Sequence, residues 1–189
     1  DEKNEVLHKI QPVINHLSGL LDELVESLQV RQDTDIESTS IDLNETTRKI
    51  LNGFEGQIQM YNAKINCDFN EINTISYPQL YIDSILTNLI SNALKYKSPN
   101  RNITIDIKTQ VDPDGTILSI SDNGLGINLE MHKHNMFKIR KVFHKHPDAK
   151  GFGLFMTKTQ VEAMGGKIWI ESIPDKGSTF YILFKSQIT

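Results

Sequence analysis

Cysteine is nearly missing from this chain of 189 residues. Cys67 stands alone, so no intrachain disulfide can form, and a reducing compartment is the natural setting. Long apolar runs are missing too: none approaches membrane-spanning length, and no secretory leader is visible. There is no excess of basic residues. The formal net charge is −4, which speaks against a nucleic-acid partner. No internal repeat or low-complexity tract occurs, and 38% hydrophobic with 23% charged residues argues against global disorder. The chain opens Asp1-Glu2-Lys3 without a methionine and reads as a piece of something longer. A parent protein is therefore free to be membrane-anchored, while this piece is expected to be cytoplasmic with no direct membrane contact. What remains is enough apolar material for one sizeable core with an appended helix.

The appended helix is expected over residues 1–32. Leu7, Ile10, Ile14, Leu17, Leu21, Leu24 and Leu28 recur at alternating spacings of three and four, a heptad seam. Pro12 should kink it or mark its start, and Val13, Leu20 and Val25 widen the stripe towards a bundle. An ordinary surface helix is the alternative. The polar stretch "RQDTDIESTS", 31–40, reads as a linker, assigned to 33–39. A core domain is expected from 40 to 189. It starts with a short strand at Ile41–Leu43 and a helix from about Asn44 whose inner face is Ile50, Leu51, Phe54, Ile58 and Tyr61. Gly53 and Gly56 weaken that helix and suggest close packing. Short strands follow at 64–69 and 73–78, then a helix over 78–97 with Pro78 in its first turn. Two alternating strands flank the turn "DPDG", 112–115. A weakly patterned segment fills 127–150, a helix spans 153–164, and "KIWIES" with "STFYILF" makes a last hairpin. Mixed helices and antiparallel hairpins predict an α/β two-layer sandwich, a mixed, mostly antiparallel sheet with helices on one face.

Three stretches carry polar groups in a pattern that asks for an explanation. In "SISDNGLGI", 119–127, Asp122 ends a strand and two glycines follow one residue apart. A carboxylate accepts hydrogen bonds and gives none, which suits an exocyclic amine, and Gly124 and Gly126 would let backbone approach a base or sugar. A D-N-G hairpin turn explains the same residues equally well. In "NLISNALKY", 88–96, Asn88, Asn92, Lys95 and Tyr96 share one helix face. A solvated polar face is the bland reading; against it, asparagine is a poor interior helix residue, and an amide oxygen is a hard ligand suited to Mg²⁺. In "KGFGLFMTK", 150–158, Gly151 and Gly153 sit where a loop enters a helix, a ready anion site, with Lys150 and Lys158 adding positive charge. The spacing fits neither a P-loop nor a Rossmann turn.

The order of the three, an Asn/Lys/Tyr helix face, then D-x-G-x-G, then a G-x-G-L helix entrance, resembles the N, G1 and G2 boxes of the GHKL ATP-binding superfamily (the Bergerat fold), and within it the sensor histidine kinases of two-component systems. "KGSTFYILF" resembles the G-T-x-F hairpin that closes their catalytic domain. The likeness covers roughly Ser40 to Phe184, and the heptad helix is similar to the second helix of their dimerisation and phosphotransfer hairpin. The resemblance implies a protein-histidine kinase domain that binds ATP and Mg²⁺. Asn88, Asn92 and Lys95 would serve the chemistry: Asn92 as the Mg²⁺ ligand, Asn88 supporting the phosphate end and Lys95 meeting phosphates. Tyr96 would flank the base and Asp122 receive the adenine amine, with Gly124, Gly126 and Ile127 shaping that wall. Lys150, Gly151, Phe152 and Gly153 would line the phosphate cradle, Leu154 would anchor the helix, and Thr179 would complete the nucleotide-binding set. Residues 127–150 would form the ATP lid, tied down by Met136, Phe137 and Phe143.

Departures from the family pattern shape the expectation. No histidine sits in an H-[DE]-x-[RK]-x-P context: Lys9 follows His8, and Leu17 follows His16. The phosphate acceptor is thus expected upstream, and this chain alone should not autophosphorylate. The glycine-rich lid motif is reduced to "KGFGL", so phosphate contacts from the lid are expected either to be fewer or to shift towards Arg140, Lys141 and Lys145. The pairs His132/His134 and His144/His146 flank lysines and read as surface groups, not metal ligands. The partners implied are a response-regulator receiver domain and a second copy of the chain through the N-terminal helix. A nucleotide-binding scaffold without transfer, or another GHKL ATPase such as an anti-sigma-type serine kinase, are the alternatives.

Overall fold

A computed structural model describes residues 36–132, 136–138 and 151–185, all within the compact unit Ile36–Thr189. The heptad stretch 1–32 lies outside the described residues. Strand β1 (Thr39–Asp42) leads into α1 (Leu43–Gly53), α2 (Glu55–Met60), β2 (Lys64–Asp68), β3 (Thr74–Tyr77) and the long α3 (Gln79–Lys95). Then come β4 (Thr104–Asp112), β5 (Gly115–Asp122), the short α4 (Leu129–His132), α5 (Gly153–Ala163), β6 (Lys167–Ile173) and β7 (Gly177–Lys185).

Five strands form one sheet in the order β2-β4-β5-β7-β6, and β1 pairs with β3 in a separate ribbon. Among the described residues only β2 and β4 run parallel; their connection passes through β3 and α3, the crossover that parallel neighbours need. The Asp112↔Gly115 pairing makes "DPDG" a two-residue turn between β4 and β5. Period-two alternation sends Ile105, Ile107, Leu118, Ile120, Phe180 and Ile182 into the core, all buried. Above them lies α3, which buries Tyr81, Ile82, Ile85, Leu86, Leu89, Ile90, Ala93 and Leu94. That stripe is wider than a surface helix needs because α3 packs on the sheet and is flanked by α1 and α5. The other sheet face is polar except for Trp169 stacked on Tyr181 (5.2 Å between ring centroids, 9° between planes), the exposed Ile173, and the buried Ile117 and Leu183.

Details differ from expectation at the start of the domain. β1 begins at Thr39, inside the expected linker, and ends at Asp42, whose carboxylate accepts the Glu45 N–H (2.9 Å) and caps α1. The expected single helix breaks at Phe54 into α1 and α2. Gly53 and Gly56 are not sites of close packing, because a side chain at either would meet open space; their weak helix propensity accompanies the break instead.

Candidate nucleotide site

Two neighbouring turns and one helix entrance converge on α3. At its C-terminal end, the Leu125 N–H donates to the Tyr96 carbonyl (2.9 Å), docking the loop 123–127 there. Eight residues back, Asn88 meets the start of α5: its Nδ2 donates to Thr157 Oγ1 (2.6 Å), and Thr157 Oγ1 donates to the Gly153 carbonyl (3.0 Å). Asn92 Nδ2 donates to Asn88 Oδ1 (3.2 Å). The two docking points are separated by eight residues of helix, about 12 Å.

The amide pair therefore has a structural reason as well as a chemical one. Asn88 pins α5 to α3, assisted by Gln160 Nε2 donating to Ser84 Oγ (3.1 Å). Asn92, with its Nδ2 directed to Asn88, has Oδ1 to offer as a hard neutral ligand. A Cβ on Gly153 would collide with Asn88 Oδ1, so the glycine is the condition for this contact. Gly153→Ala should for that reason destabilise the domain by about 1–2 kcal/mol, although alanine is the better helix former. Thermal melts of Gly153→Ala alone and in an Asn88→Ala background check this: the same change should become stabilising once Asn88 is truncated.

Asp122 does not start a hairpin. Its Oδ1 accepts the Gly124 N–H (2.7 Å), its carboxylate takes a second backbone bond from Ser178, and the chain turns away to α3. Burial pushes its carboxyl up to about 6, while the two backbone bonds and the nearby Arg101 guanidinium pull it down. Gly124 and Gly126 serve packing within the protein. A Cβ at Gly124 would lie 2.5 Å from the Tyr96 carbonyl, and one at Gly126 (φ +64) would strike the Ile173 carbonyl. The Ile127 N–H donates to Ser172 Oγ (2.7 Å), fastening the same loop to β6. Tyr96 is half-buried, which raises its phenol, and Lys95 Nζ lies 5.8 Å from the Tyr96 ring, at this end of α3 and not beside Asn88.

Three positions fall elsewhere than expected. Thr179 pairs with Ser121 (Oγ1···Oγ 2.9 Å) on the sheet face opposite Asp122; the residue aligned with Asp122 is Ser178. Ser178 is buried and shares a 2.9 Å hydrogen bond with Ser172 Oγ. Leu154 is only half-buried, so α5 is anchored by Phe152, Met156 and Val161. Phe152 places its ring in the core, which leaves only its backbone for a ligand. Gly151 takes φ +78, and α5 begins with no side-chain cap, so its first N–H groups are available to an anion. Met136 is buried, and Phe137 sits under Lys158 Nζ (6.0 Å). Lys150, Phe143, Arg140, Lys141, Lys145, the His144/His146 pair, His134 and the His132 side chain lie outside the described residues. Among the described residues no cluster of His, Cys, Asp and Glu suits a metal, and no helix is long and apolar enough to cross a membrane.

An ATP-binding α/β sandwich is the class that this sheet, helix and pair of glycine turns define. A family model, "Histidine kinase-, DNA gyrase B-, and HSP90-like ATPase", matches residues 78–188, more than half of the chain. The chain belongs to that family. Sensor protein RprX of Bacteroides fragilis is 28% identical over 200 residues, covering 95% of this chain and 38% of RprX. Histidine protein kinase SaeS of Staphylococcus aureus is 28% identical over 180 residues, covering 93% of this chain and 51% of SaeS. The catalytic domain of histidine kinase ThkA superposes with a TM-score of 0.66 at 24% identity, covering 79% of this chain and 95% of that one. Histidine kinase AdeS of Acinetobacter baumannii superposes at 0.72 with 22% identity, covering 91% and 79%. The chain is thus a histidine-kinase-type ATPase domain homologous to sensor kinases, and it spans about two-fifths of RprX and about half of SaeS.

Proposed function

We propose that this chain binds Mg·ATP and presents the γ-phosphoryl group to a histidine on a helix outside the domain, from which it passes to an aspartate of a response-regulator receiver domain. The observation that carries the reading is the double docking on α3, with the Asn88–Gly153 contact at one end and the Tyr96–Leu125 hydrogen bond at the other. It supports a single bed running from a base end at Asp122 to a phosphate end at the entrance of α5.

Each residue has a task in this reading. Asp122 accepts the adenine amine on its carboxylate, beside the N–H groups of Gly124 and Ser178. The α5 entrance offers backbone N–H groups to the phosphates, and Lys158 on α5 adds charge, whereas Lys95 stands at the base end beside Tyr96. Mg²⁺ fits the donor set, since it favours a few protein oxygens beside phosphates and water, and the Asn92 amide oxygen is such a ligand. When bound, the ion neutralises the phosphate charge. Transfer forms a nitrogen–phosphorus bond on the acceptor imidazole and breaks the bond to ADP, with the domain supplying position and electrostatics. Residues 1–32 are proposed as a partial dimerisation and phosphotransfer helix through which two copies associate.

Calorimetric titration with Mg·ATP tests binding, and incubation with a protein carrying the acceptor helix tests transfer through acid-labile phosphohistidine. Binding without transfer to any acceptor would favour a scaffold; no binding ends the reading. In Asn92→Ala, the gain in ATP affinity on adding Mg²⁺ should shrink on the order of tenfold or more. An undiminished Mg²⁺ effect would remove Asn92 as the ligand.

A further inference from the structure

Arg101 lies between α3 and β4, outside all three motif stretches. It is half-buried, and its guanidinium is committed to backbone: Nε donates to the Asn123 carbonyl (2.6 Å), and one Nη donates to the Gly124 (2.7 Å) and Asp175 (2.5 Å) carbonyls. Two of these carbonyls belong to the loop that follows Asp122, and the third to the turn between β6 and β7. The same two segments are joined by the Asp175 N–H donating to the Leu125 carbonyl (2.7 Å) and by Ser172, whose Oγ accepts from Ile127 N–H and donates to the Gly177 carbonyl (2.9 Å). Asn123 locks the strand entrance on the other side, accepting from Thr104 N–H (2.9 Å) and donating to the Asn102 carbonyl (2.9 Å).

We propose that Arg101 is the positioning residue of the base-recognition end: its fork holds the loop 123–125 against the β6–β7 turn and so fixes where Asp122 and Gly124 meet the adenine. This rests on the nucleotide reading given above. Arginine suits the task because a planar, permanently charged fork reaches several carbonyls at once, which a lysine cannot match. With Nε and one Nη directed to carbonyls, the guanidinium keeps positive charge near the Asp122 carboxylate, which lowers the carboxyl pKa. The elements packed against Asp122 carry, besides Arg101, Lys95 and Tyr96 at the end of α3 and Asp175 and Lys176 in the turn; its cross-strand partners Ile105 and Ser178 are uncharged.

The test compares wild type, Arg101→Gln and Arg101→Lys by Mg·ATP titration between pH 5 and 8.5, after thermal melts establish that each folds. Arg101→Gln should bind on the order of tenfold to a hundredfold more weakly, and its loss of affinity on acidification should begin at a higher pH. Arg101→Lys keeps the charge, so affinity should fall with the acid limb unmoved. Wild-type affinity in both variants, or a uniform loss at every pH in the glutamine variant, overturns the proposal. If the variants do not fold, hydrogen exchange on wild type decides: the Leu125 and Asp175 amides should slow together on adding Mg·ATP, and no change overturns it. A wild-type chain that fails to bind Mg·ATP at all marks the failure of the underlying reading instead.

Discussion

Asp122→Asn is expected to stabilise the domain at pH 8 while removing on the order of 100-fold of its affinity for adenine nucleotide. The stability sign follows from the raised carboxyl. A group whose folded pKa sits near 6, above the ordinary 3.8, favours the fold in its protonated form. That contribution is complete below pH 3.8 and fades as pH rises to about 6, so above pH 6 the buried charge weighs against folding. A shift of this size corresponds to ~3 kcal/mol at most, and an asparagine should recover about 1–2 kcal/mol of it at pH 8 and nothing near pH 4. The binding loss has a geometric cause. The carboxylate is held by the Gly124 N–H on Oδ1 (2.7 Å) and by the Ser178 N–H, so an asparagine, with one acceptor oxygen in place of two, turns its amide nitrogen towards a donor that the carboxylate accepted. Wild type should likewise lose ATP affinity as pH drops below about 6. Denaturant melts at pH 4 and pH 8 with ATP titrations on both proteins check these statements. An asparagine variant that binds like wild type would refute the role of Asp122.

Gly126→Ala should cost about 2–4 kcal/mol, lower the melting temperature by roughly 5–15 °C and remove nucleotide binding. Two penalties add. Gly126 takes φ +64, where any Cβ is strained, and that Cβ would strike the Ile173 carbonyl with the Gly177 carbonyl 3.1 Å away. Both obstacles are backbone of the β6–β7 hairpin and cannot rotate aside. The loop 123–127 would have to leave its seat on α3. A melting temperature within a degree or two of wild type would show that the loop can move at little cost.

The fold was legible wherever one chemical period ran long enough. The alternation in β4 and β5 and the apolar stripe of α3 left little choice. The parallel β2–β4 pair was not legible, because β2 is a half-exposed edge strand with burial that hardly alternates. Within the site, Asp122, Asn88 and Gly153 were visible as residue types that a helix or strand would not choose without cause. Thr179 shows the limit: in Gly177-Ser178-Thr179 both hydroxyls are plausible, and only the register with β5 decides which faces Asp122. Arg101 left no trace in "SPNRN", a stretch that reads as solvated, because its partners are carbonyls, which every residue has. Ser172 was hidden likewise, because its partners are the Ile127 N–H, the Gly177 carbonyl and the Ser178 hydroxyl, none of which marks a position in the sequence.

One rigid rod carries both attachment points of the proposed bed. The span from Asn88 to Tyr96 is a gauge with a fixed scale, since helical rise cannot stretch without breaking hydrogen bonds. Such a gauge suits cargo of one length and leaves its two stops in constant register. Control over occupancy must then be exercised at the doorway, by admitting or withholding the cargo, and not by altering the measure.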